Sequence, residues 1–157
     1  MTNTDYYRLS FEERYSLRRI NDLLVKENIE DKIDGARFAY DFFEYERHTK
    51  LGVSFLMNTL ISNLISNDNN SDELNSEIIR ALEVGIWEQP DKNEININAY
   101  ISFLKRNDVS EMTIAQGIML LASSNYKEKF ELFQYYISHK SSLIKNAVEK
   151  GLNSFNQ

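Results

Sequence analysis

Cysteine is missing from this chain altogether, and there is a single proline and only five glycines. Without cysteine neither a disulfide framework nor a zinc–thiolate centre can be built. So few breakers leave long helices uninterrupted and disfavour β architectures with many turns. Long apolar runs are missing too: the longest uncharged stretch, Leu51 to Asn67, is interrupted by Ser54, Asn58, Thr59, Ser62 and Asn63, which makes a bilayer span costly. No basic segment followed by an apolar core appears at the start of the chain, so the expectation is a cytoplasmic protein with no membrane partner.

What is present is helical. The 157 residues are 42% hydrophobic, enough for a core in one domain. Ser10-Phe11-Glu12-Glu13 reads as a capping box, and Asp108-Val109-Ser110-Glu111 and Asn125-Tyr126-Lys127-Glu128 follow the same logic, with a side-chain acceptor answered by an acid three residues on. Apolar spacing predicts helices over about 11–27, from about 30 to 47, over 53–65, 73–87, 97–106, 109–123, 126–138 and 142–155. On the second of these, Ile33/Ala36/Tyr40/Phe43 and Phe38/Phe42/Tyr45 form two faces, so that helix is expected to be covered on both sides. The run Ser66 to Asp72 is too polar to bury and reads as a loop.

Gly52, Gly85, Gly117 and Gly151 follow one another at intervals of 33, 32 and 34 residues. Ile78-Ile79-Arg80-Ala81-Leu82-Glu83-Val84-Gly85-Ile86 is matched by Ile144-Lys145-Asn146-Ala147-Val148-Glu149-Lys150-Gly151-Leu152, with Thr113-Ile114-Ala115-Gln116-Gly117-Ile118 as a looser copy. A recurrent helical glycine costs about 1 kcal/mol relative to alanine, so its return at one place points to a close helix crossing. The expected fold is therefore all-α: a single domain, 1–157, of seven to eight helices in a stack of antiparallel helical hairpins, at about 11–47, 53–87, 97–123 and 126–155. Gly52 falls in a first helix and is out of phase with the other three. The phrase apolar-x-x-Ala-apolar-Glu-x-Gly-apolar resembles the second helix of a HEAT-like α-solenoid repeat, although the Pro and Arg/Asp positions usual in such units are missing. That resemblance implies an extended surface for binding macromolecules.

Residues 67–94 hold eight acids against two bases, a local charge of −6 that equals the net charge of the whole chain. Such a field repels nucleic acid and speeds encounter with a basic protein. Neither a phosphate loop, nor a Gly-x-Ser-x-Gly elbow, nor a cysteine nucleophile is present, and Asp41, Glu44 and His48 share a helical face without a second ligand set, so no enzyme, metal or cofactor is expected. In size, acidity and repeat phrase the chain is similar to bacterial immunity proteins. The resemblance implies an inhibitor that blocks the active site of a cognate toxin, often a basic nuclease. The residues expected to grip it are Asp72, Glu73, Glu77, Glu88, Asp91 and Glu94, with Trp87 as an apolar anchor or, alternatively, a core plug. The rival expectation is a helical-repeat adaptor or regulatory scaffold.

Overall fold

A computed structural model describes residues 3–66 and 71–154. Among them there is no strand. The α-helices are α1 (Asn3–Tyr6), α2 (Phe11–Leu24), α3 (Ile29–Tyr45), α4 (Lys50–Ser66), α5 (Asp72–Trp87), α6 (Ile97–Leu104), α7 (Glu111–Ala122), α8 (Lys129–Tyr136) and α9 (Ser142–Asn153). The fold is all-α, as the glycine and proline content demands. The chain divides into two compact units, Met1–Ile95 and Asn96–Gln157.

In the first unit α2 and α3 form one hairpin and α4 and α5 the next, and the second helices α3 and α5 lie against each other. The second unit repeats the plan: α6 precedes α7, α8 precedes α9, and α7 packs on α9. The glycines explain how those helices close up. A Cβ on Gly85 of α5 would stand 3.0 Å from both Met57 Cγ of α4 and Phe43 Cζ of α3, while one on Gly151 of α9 would stand 2.7 Å from Phe133 Cζ of α8 and 3.3 Å from Ala122 Cβ of α7. In both units the glycine therefore sits where a second helix meets its own first helix and the preceding second helix. Ala36, Ala39, Ala81 and Ala147 are buried on the same helices, so small residues line these approaches.

Gly52 does not belong to this series. It lies in α4, a first helix, and the glycine that occupies a second helix of the opening hairpin is Gly35, whose absent side chain admits Leu23 and Leu24 of α2. Gly52 answers to Glu13: a Cβ there would lie 2.5 Å from Glu13 Oε1.

Glu13 is the most consequential polar residue of the core, at 1% exposure. As expected of a capping box, its backbone N–H donates to Ser10 Oγ (3.1 Å) and its carboxylate accepts from Ser10 N (3.0 Å). The same carboxylate also accepts from Thr49 N and, at 2.9 Å, from Thr49 Oγ1 at the entry to α4. One acid thus caps two helices and ties the first hairpin to the second. Burial alone would raise its pKa, but the hydrogen bonds from Thr49 and Ser10 outweigh that and hold the carboxyl below its ordinary value of 4.5.

Three local expectations are corrected. The cap of α7 is Ser110, whose Oγ accepts from Thr113 N, because Asp108 is turned to Arg106 in a bidentate ion pair. No side chain caps α8, which starts at Lys129 instead of near Tyr126; the buried Lys129 ammonium donates to the Ser124 carbonyl and holds the preceding turn. On α3, Ile33, Ala36, Phe42 and Phe43 are buried, but Tyr45 at the end of the helix is exposed, so the second face is covered only in part. The polar stretch 67–70 and Phe155 lie outside the described residues.

Candidate functional site

Ser71 opens α5 by accepting from Leu74 N, and Asp72 and Glu73 stand exposed in the first turn, where the helix dipole favours negative charge. Glu73 and Glu77, four residues apart, share the side that faces α3. Arg37 of α3 meets both, with its guanidinium 3.7 Å from Glu73 and 3.3 Å from Glu77, and also reaches Asp34 at 3.7 Å. Arg80 pairs with Glu77 at 3.6 Å and lies 4.4 Å over the Tyr40 ring. Part of the acidic charge read from the sequence is therefore already answered within the unit, by two arginines.

At the other end of α5, Trp87 is 70% exposed, which excludes the core-plug alternative. Glu88 follows it and approaches His48 Nε2 at 3.6 Å; the same nitrogen lies 3.2 Å from the Phe43 carbonyl. The chain then reverses through Gln89, whose φ of 50° is the one left-handed non-glycine conformation among the described residues, and a buried Pro90. Asp91 accepts from Asn93 N to cap a 3-10 turn over Lys92–Glu94, and the Glu94 carbonyl accepts from Asn58 Nδ2 of α4 at 2.6 Å.

The seven residues expected to act together thus fall into two sets. Sixteen residues of α5 put about 24 Å of helix between its ends, so Asp72, Glu73 and Glu77 near one end are separate from Trp87, Glu88, Asp91 and Glu94 near the other. The second set joins an exposed indole to three exposed carboxylates, while two of the first set's three acids are engaged with arginine. His48 lies against Phe42, with ring centroids 5.5 Å apart and the rings tilted by 34°, and no group of three His, Cys, Asp or Glu residues among the described residues is arranged to hold a metal. No helix among the described residues is long and apolar enough to cross a membrane.

No protein-family model matches this chain, and neither does any curated protein or solved structure. Its chemistry must therefore be read from its own side chains.

Two features escaped the reading of the sequence. Tyr7, Phe11 and Tyr15 recur every four residues and are all exposed, and Tyr15 lines a groove of about 470 Å³ with Arg18, Arg19, Asp22 and Lys26, in which Arg19 lies 4.0 Å over Phe38. A second cleft, of about 580 Å³, runs along α4. The polar residues that α4 gives it are those that argued against a membrane span, and their spacing, Ser54/Asn58/Ser62 and Thr59/Asn63, was a legible helical stripe.

Proposed function

We propose that this chain is a protein-binding inhibitor of the immunity type, which neutralises a basic toxin domain by covering its active site. The observation that carries the reading is Trp87, a large apolar side chain held out at 70% exposure next to Glu88, with Asp91 and Glu94 following in the next turn. An exposed tryptophan followed by acids has the composition of an interface anchor: the indole supplies buried area and the carboxylates select a basic partner and speed its approach. Asp72, Glu73 and Glu77 extend the negative field along α5, but Arg37 and Arg80 discount the last two. Their part in the reading is steering.

Co-expression tests it. The chain should protect cells from the toxic product of the gene adjacent to its own. Protection should fail with Trp87→Ala combined with Glu88→Lys and Asp91→Lys, and survive Glu73→Gln. Loss of protection with neither set, or none with the wild type, would favour the adaptor reading, for which the stacked hairpins of each unit are equally suited.

A further inference from the structure

We infer that the cleft along α4 binds an alkylammonium group carried on a short methylene chain. The first observation is an orphan. Ser54 is 3% exposed and lines the cleft, and its Oγ has no hydrogen-bond partner. Leaving a buried hydroxyl unmatched costs about 1–3 kcal/mol, a cost that a ligand seated against it removes.

The second observation is the balance of donors and acceptors. No lysine, arginine or histidine lines the cleft, whereas two acidic residues do: Asp5, which pairs with Arg8 at 3.8 Å, and Glu94. Three of the lining side chains turn a donor to the backbone: Asn58 Nδ2 donates to the Glu94 carbonyl, Asn63 Nδ2 to the Thr59 carbonyl and Thr59 Oγ1 to the Phe55 carbonyl. The unmatched Ser54 hydroxyl and the Glu94 side chain then face a cleft that no basic side chain lines. An ammonium group is its complement, with three donors and no acceptor.

The third observation sets the ligand's body. Leu51 and Phe55 give the cleft an apolar side, against which methylenes pack while the ammonium remains among oxygens. An inorganic cation would use the carboxylates and leave that side unfilled. The cleft has room for a chain of several carbons, at about 580 Å³.

Isothermal titration of the full chain with putrescine, spermidine and capped lysine amide, at matched ionic strength and against magnesium chloride, tests this inference. The amines should bind and magnesium should not displace them. Tighter binding of spermidine assigns the cleft to free polyamines, tighter binding of capped lysine assigns it to a protein side chain, and either supports the chemistry. Glu94→Gln, an exposed change that leaves the fold intact, should weaken the amines about tenfold, as loss of a charged hydrogen-bond partner does. Ser54→Ala should weaken them severalfold, with its fold verified by circular dichroism. Absence of amine binding, displacement by magnesium, or undiminished binding by Glu94→Gln would overturn the inference. Trp87→Ala should leave amine affinity unchanged, so failure here is distinct from failure of the docking reading.

Discussion

At the scale of single residues, one buried acid and one buried phenol bracket the stability of the fold in pH. The Glu13 carboxylate is ionised and hydrogen-bonded at the joint between α2 and α4, with its pKa held below 4.5 by Thr49 and Ser10 against the effect of burial. A depressed carboxyl pKa contributes stability that is complete above the unfolded value and is lost as pH falls through the folded one. Unfolding by urea should therefore become easier as pH drops below about 4.5, and Glu13→Gln should flatten that dependence while costing about 2 kcal/mol at neutral pH. Tyr136 acts at the alkaline end. Its hydroxyl donates to the Leu104 carbonyl at 2.5 Å, and burial, with Tyr135 beside it, pushes its pKa up to about 12. Its stabilisation is complete below the ordinary value of 10 and is lost as pH rises through 12. In a spectrophotometric titration Tyr136→Phe should remove one tyrosine equivalent that ionises near pH 12, and it should cost about 1 kcal/mol by orphaning a carbonyl.

At the scale of helices, the glycines decide how closely second helices approach. Alanine at Gly151 would gain about 1 kcal/mol of helix propensity. The same methyl would press to 2.7 Å from Phe133, a fully packed ring. Overpacking of this kind costs about 1–3 kcal/mol, so the clash wins and Gly151→Ala should lower the urea midpoint. Gly85→Ala, caught between Met57 and Phe43 at 3.0 Å, should do the same to a smaller degree. The phrase around Gly85 and Gly151 displayed this geometry in advance, because both glycines fall in matched nine-residue copies. Gly35 was not legible in that way: Asp31 stands where those copies place alanine, so its role emerges only from its contact with Leu23 and Leu24. Gly52 misled for the opposite reason, having the right interval and a different neighbour, Glu13.

At the scale of the molecule, the chain divides at Ile95 into two units that each close their own core. In stacked-hairpin proteins stability is a sum over such modules and their neighbours. A fragment ending at residue 95 should retain helical circular dichroism and a cooperative urea transition, whereas residues 96–157 alone, about 60 residues with a correspondingly small core, should unfold at lower denaturant. A second transition of undiminished midpoint for the shorter fragment would contradict that expectation.

Composition and periodicity were sufficient for the helical class, for the first capping box and for two of the close crossings, because these depend on residues within one or two turns of each other. Where charge is spent depends on partners far away in sequence. Arg37 lies some 40 residues before Glu77 yet draws on its charge, Asn58 reaches the Glu94 carbonyl across a similar span, and Glu13 turns a local cap into a tie to Thr49. The acidic run therefore read as one field, and only folding divided it into a half engaged with arginine and a half that follows Trp87 at the far end of α5. The polar positions of α4, counted in the sequence merely as a bar to membrane insertion, became a cleft because Asp5 and Glu94 were brought beside them, and Ser54 was buried there with its hydroxyl unmatched.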